Sequence, residues 1–196
     1  MAGFLRAWLA GYSSPGRFAE ALEAKSTPLW GLCAVGLRGL LDALLVYLPV
    51  ALLGRTPPEP SYLTLLPTEG YYLTLVWLAP LVFLAQWLLG AAVLHIGLRL
   101  SGRPSDMDRI LNLTGMASLV VGAVLIPWDW FWLLVGGVDQ YLLGVSHLLI
   151  DIWWFVLVVT GLRRSLGIGA GRAIALSALA FAAAFPLAVL LMRAPF

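Results

Sequence analysis

The sequence predicts an all-α integral membrane protein: a bundle of about five transmembrane helices preceded by short interfacial amphipathic helices at the N-terminus. Three observations carry that reading. Of 196 residues, 61% are hydrophobic and 11% are charged, whereas a soluble domain is about half apolar and about a quarter charged. Too few charges remain to cover a water-facing surface, and the mean hydropathy is +0.93. The apolar residues also come in long blocks, and about 20 of them in a row cross the hydrocarbon core of a bilayer. Finally, Arg and Lys collect in the turns between alternate blocks.

Two regions follow from this, 1–27 and 28–196. In the first, Phe4, Leu5, Trp8, Leu9 and Tyr12 recur at helical spacing, and Ser14 and Pro15 mark an N-cap and first helical position before Phe18, Ala21 and Leu22. Both pieces are too short and too polar to span. They are expected to lie in the interface plane, with packing on the bundle as the second reading. The region lacks the compact apolar stretch of a cleavable signal peptide.

Spans are expected at about 29–53, 72–98, 110–126, 141–160 and 173–192. Pro28 opens the first, where its missing N–H costs nothing, and Pro49 lies near its far end. Pro57, Pro58, Pro60 and Pro67 then make an extended loop. Pro80 is expected to kink the second span. Ser105 is the expected N-cap of the third, helped by Asp106 and Asp108. Pro127 is expected to end the third span. Trp128, Asp129, Trp130, Phe131 and Trp132 then read as a wet connection at headgroup level. Arg163, Arg164, Gly167, Gly169 and Gly171 turn the chain into the fifth span.

Nine basic residues (Arg6, Arg17, Lys25, Arg99, Arg103, Arg109, Arg163, Arg164, Arg172) fall on one side of a five-span path, and two (Arg55, Arg193) on the other. The positive-inside rule then puts the N-terminus in the cytoplasm and the C-terminus outside, in a cell membrane. The same short basic turns suit anionic lipid headgroups and argue against nucleic acid as a partner.

Catalytic triads, phosphate-binding glycine loops and paired catalytic carboxylates are not apparent, so neither an enzyme nor a cofactor is expected. His147 and Asp151 are four apart on one helix face. That spacing suits a metal only with further ligands such as Asp139 or Asp42, and an intrahelical hydrogen bond is the simpler reading. Cys33, the single cysteine, reads as a buried apolar filler. Gly115, Ser118 and Gly122 would permit close helix approach, within the chain or, as a second reading, in a homo-oligomer.

Two polar groupings stand out. Arg38 and Asp42 share a face of the first span, and Gln86, His147 and Asp151 fall at comparable depth. These five are expected to form an inward-facing intramembrane cluster, because an isolated charge at that depth costs at least about 2.5–3.5 kcal/mol. At the inner end, His95 and Asn112 lie beside the turn joining spans two and three and are expected to meet.

The order and spacing of several elements resemble the Yip-one domain, the five-span membrane domain of the Ypt/Rab-interacting family. They are Ser14-Pro15-Gly16-Arg17-Phe18, then His95 through Gly97 to Gly102, then Arg109 through Gly115-Met116-Ala117-Ser118 to Pro127. Trp153-Trp154, Gly161-Leu162, Gly167-Ile168 and Ala173 close the pattern. The resemblance covers about 13–192. It departs where the family often has Pro after Ala117-Ser118, since Leu119-Val120 stand here. It implies a non-enzymatic membrane protein with a role in membrane organisation or as an adaptor or scaffold. With only a short region before the spans, the chain looks like a minimal prokaryotic member, with an unknown protein partner. The residues alone leave a rival: a transporter or channel component using the Arg/Asp cluster.

Overall fold

The computed structural model describes residues 2–23, 25, 27–57, 62, 66, 68–135 and 139–191. Two short helices come first, α1 (Ala2–Ser13) and α2 (Pro15–Glu23). Five long ones follow: α3 (Leu29–Leu52), α4 (Tyr71–Leu100), α5 (Met107–Val135), α6 (Gln140–Leu166) and α7 (Ala170–Leu191). All five are long and apolar enough to cross a bilayer. Of the Gly54–Gly70 loop, the residues described are not helical, and Pro58, Pro60 and Pro67 lie outside them.

The five spans form a ring in the order α3, α5, α6, α7, α4. Helices α3 and α5 run parallel, since Gly31 lies against Leu111 and Gly115, Arg38 meets Ser118, and Leu45 meets Trp130. Helix α5 is the buried pillar: 78% of its apolar window is buried, against 11% for α7. Helix α4 runs antiparallel to α7, with Gln86 bonded to Ala184 and Tyr71 to Leu191. It meets α3 where Gly39 faces Pro80. Helices α6 and α7 close the ring through Trp154, Phe155 and Phe181.

Helix α3 contains a wider turn at Ala43–Tyr47. Pro49 has no N–H to give to the Leu45 carbonyl. The ladder stretches instead, with Leu48 N–H donating to Ala43 O, and the freed Leu45 carbonyl accepts from Trp130 Nε1 at 2.6 Å.

Several expectations are corrected. Helix α5 does not end at Pro127 but continues to Val135. The turns beyond the proline are held sideways: Trp128 Nε1 donates to Ser146 Oγ at 2.8 Å, Asp129 bonds His147, and Trp130 bonds α3. These side-chain bonds tie the turns beyond the proline to the neighbouring helices. The N-cap of α5 is Asp106, not Ser105: Asp106 Oδ1 accepts from the N–H groups of Asp108 and Arg109 at 3.0 and 3.3 Å, while the Ser105 hydroxyl is taken by His95. Cys33 is exposed, because the stripe of α3 that faces the bundle runs through Gly31, Ala34, Val35, Arg38, Gly39 and Asp42 and misses it.

The N-terminal helices pack on the bundle. Gly3 sits beside Trp30 and Gly11 beside Val120. Gly31, next to Trp30, faces Leu111, so α1 follows α5 from Leu111 to Val120. Those nine steps are about 13 Å, close to the length of α1 over the same stretch. Helix α1 therefore runs along α5, and α2 returns beside α6. Ala7, Phe18, Ala19 and Leu22 are buried. Tyr12 donates to Val120 O at 3.0 Å and Trp153 Nε1 to Gly11 O at 2.8 Å. Arg164–Glu20 and Arg109–Glu23 ion pairs hold the returning helix.

Gly115→Ala tests the α3–α5 approach. A Cβ there would stand 2.6 Å from Gly31 Cα, whereas one at Gly36 meets nothing within 4 Å. Gly115→Ala should lower stability in detergent melting by about 1–3 kcal/mol. Gly36→Ala should hold or raise it, because alanine favours a helix over glycine. Equal effects would contradict the packing described.

Candidate functional site

Along α5, the heptad-spaced Gly115 and Gly122 face α3, and Thr114, Ser118, Leu125 and Asp129 line the space between the spans. Gly122 has no side chain, and a Cβ there would occupy the space of the Arg38 side chain. Arg38 therefore reaches across α5. Its Nε donates to Asp42 Oδ2 at 2.9 Å and its Nη1 to Ser118 O at 3.0 Å. Its guanidinium also lies 4.8 Å over the Phe83 ring, an arrangement attractive to a cation. Arg38 is 8% exposed and Asp42 6%, so the pair faces the interior.

Two turns beyond Gly122, Asp129 Oδ1 bonds His147 Nε2 at 2.8 Å. The intrahelical His147–Asp151 bond expected from sequence does not form, because Asp129 on the facing helix takes the imidazole. Asp151 is left on the cavity wall without a hydrogen bond or ion pair among the described residues. Gln86 Nε2 donates to Ala184 O at 3.2 Å, tying α4 to α7.

These groups surround one cavity of about 450 Å³ between the five spans. Arg38 and Asp42 come from α3, Gln86 from α4, Asp129 from α5, and His147 and Asp151 from α6. Tyr47, Trp87, Trp154, Phe181 and Phe185 supply an aromatic lining. Among the described residues, no group of three or more His, Cys, Asp or Glu is arranged to hold a metal ion.

His95 and Asn112 take other partners than each other. His95 Nδ1 bonds Ser105 Oγ at 2.9 Å and clamps the turn between α4 and α5. Asn112 is fully buried. Its Oδ1 accepts from Gly31 N–H at 2.8 Å and its Nδ2 donates to Thr27 O at 2.7 Å. A helix start leaves N–H groups without intrahelical partners, and Asn112 satisfies one of them for α3 from the neighbouring span. Among the described residues the expected His95–Asn112 hydrogen bond does not form: the start of α3 takes Asn112 and Ser105 takes His95.

Sequence reasoning missed Asp129, which it placed in a loop after Pro127. The available signal was the seven-residue spacing of 115, 122 and 129, which has meaning only if the helix continues.

A family model described as the Yip1 domain matches residues 11–192. The chain belongs to the Yip1 domain family. Searches of curated proteins and of solved structures found no match. The Yip1 domain here is a multi-pass membrane domain of a non-enzymatic family. The matched stretch opens at Gly11, where α1 meets Val120 and Trp153. Two of its glycines meet neighbouring helices closely: Gly97 faces Leu176 and Gly161 faces Leu113. The short N-terminal helices of this Yip1 protein are part of the folded unit.

Asp151 and Asp129 should respond differently to neutralisation. Asp129→Asn weakens a partly buried charge-assisted bond and should lower the detergent melting midpoint by about 1–3 kcal/mol of stability. Asp151→Asn breaks no bond and should leave the midpoint unchanged. A large loss on Asp151→Asn would mean that Asp151 is a packing element.

Proposed function

We propose that this Yip1 protein binds a small molecule inside the bilayer, a carrier-type role without catalysis, rather than acting as an adaptor for other proteins. Asp151 carries the reading. It is an ionisable group deep in a span, without a hydrogen bond or ion pair among the described residues, on the wall of a cavity of about 450 Å³. A bundle that needed only cohesion would pair such a group, as this one pairs Arg38 with Asp42. Intramembrane ionisable residues mark binding sites and ion paths, and small-molecule pockets run from about 300 to 1,000 Å³. The adaptor reading, which the resemblance suggested, is less well supported. Of the N-terminal helices it would use to meet a partner, Ala7, Phe18, Ala19 and Leu22 are buried against the bundle, while Leu5 and Leu9 stay exposed.

Absence of catalysis is part of the proposal. The Ser105–His95 bond has no carboxylate on the second ring nitrogen among the described residues, so it serves as a clamp on a turn. Thr114, which lines the cavity, gives its hydroxyl to Ile110 O at 2.8 Å. The location proposed is a cell membrane, with the N-terminus and the basic turns cytoplasmic. Arg99, Arg103, Arg163 and Arg172 make no ion pair among the described residues, which leaves them for anionic headgroups.

Gly144→Phe tests the cavity. Gly144 lines it, and a Cβ there meets nothing within 4 Å, so a ring can enter without displacing a helix. Native mass spectrometry of the purified protein should show a bound species that the variant lacks at an unchanged melting midpoint. Identical spectra would contradict the proposal. For orientation, Arg103→Cys in a Cys33→Ala background should react with an impermeant thiol reagent from the cytoplasmic side, and Tyr62→Cys from the outside. The reverse pattern would invert the topology.

A further inference from the structure

The cavity has a mouth, and its position says what can enter. Of the residues lining it, Gly144 and Leu148 on α6 and Phe185 and Val189 on α7 are exposed. The lining residues of α3, α4 and α5 are buried or half-buried. The opening is therefore a slot between α6 and α7. It faces sideways into the bilayer, in the half that holds the start of α6 at Gln140 and the end of α7 at Leu191. Its rim is wholly apolar. A hydrated ion would have to cross hydrocarbon to reach it, whereas a molecule already dissolved among the acyl chains would not.

Inside the slot the charge is unbalanced. Arg38 is matched by Asp42 at 2.9 Å, and Asp129 faces His147 at 2.8 Å. Asp151 has no hydrogen-bonded or ion-paired counterpart among the described residues. Trp154 stands one turn from Asp151 on α6, and Phe181 and Phe185 continue an aromatic row, with ring centroids 6.2 Å and then 5.3 Å apart. A carboxylate beside aromatic faces is the environment that attracts an ammonium group. An anionic head would instead meet three carboxylates with one guanidinium already paired.

The geometry points to an ammonium-headed amphiphile as the ligand: its head against Asp151 and Trp154, its chain leaving through the α6–α7 slot into the lipid. This rests on the binding role proposed above and adds the ligand class and the way in. An aminophospholipid and a single-chain amine share that chemistry.

The test uses the full-length protein in nanodiscs with native mass spectrometry as the readout. The probes are phosphatidylethanolamine, octadecylamine and octadecanoic acid, each supplied in a phosphatidylglycerol background that serves as the second anionic probe. Wild type should retain one molecule of an amine-headed probe in preference to either anionic one. Retention of phosphatidylethanolamine would identify the phospholipid source, and retention of octadecylamine alone the single-chain source. Asp151→Asn should weaken retention by about thirtyfold or more, the effect of removing one partner of a desolvated charge pair. Asp151→Glu should restore most of it, and Gly144→Phe should abolish it. Equal retention of anionic probes, or no change on Asp151→Asn while Gly144→Phe still releases the molecule, would overturn the ammonium assignment and leave the cavity role standing. Retention unaffected by Gly144→Phe would overturn both.

Discussion

The close parallel contact of α3 with α5 is the interaction on which the rest of the structure depends. In hydrocarbon no water satisfies a backbone or charged group, so every break in a helix needs a protein partner. Helix α3 has three such needs, at positions 31, 38 and 45, seven residues apart, and α5 meets each. Asn112 accepts from the Gly31 N–H at the helix start, Ser118 O accepts from Arg38, and Trp130 donates to the Leu45 carbonyl that Pro49 leaves open. Seven-residue spacing keeps one seam facing its partner along two parallel helices. Glycine on both sides, Gly31 and Gly115, lets the backbones approach closely enough for these bonds to form.

The opposite side of the ring is built differently. Helices α6 and α7 meet through large aromatic rings instead of glycines, and toward the far ends of these helices the exposed lining residues mark a gap. A tight seam on one side and a loose one on the other leave space at the centre. The charged groups anchored on the tight side define the polar wall of that space. Arg38 can lie there because Gly122 leaves room for its stem, and Asp129 because α5 continues past Pro127.

The class, the five spans and the Arg38–Asp42 pairing were legible in the sequence because each rests on a local rule: block length, helical spacing, or the cost of an isolated charge. What was hidden depends on which helix faces which. His147 and Asp151 looked like partners at four-residue spacing, yet Asp129 on α5 takes the imidazole, and a within-helix spacing cannot report that competition. Pro127 looked like a terminus because its local effect is to break a helix; the side chains that carry the helix past it come from α3 and α6. The apolar stripe of the N-terminal pieces was visible, but an apolar stripe fits a lipid interface and a bundle flank equally well. Cys33 was misread because an apolar neighbourhood in sequence does not say which face of a span is inside.

Arg38 is held as one half of a matched pair against α5, and that packing fixes its charge at the cavity wall. A double-mutant cycle on Arg38 and Asp42, read as stability in detergent, tests it most directly. Arg38→Met alone strands a buried carboxylate and should cost about 3–5 kcal/mol, whereas Arg38→Met with Asp42→Leu should return close to wild type, since an apolar replacement of a buried pair is tolerated. A single variant as stable as wild type, or a double variant as damaged as the single, would contradict the account.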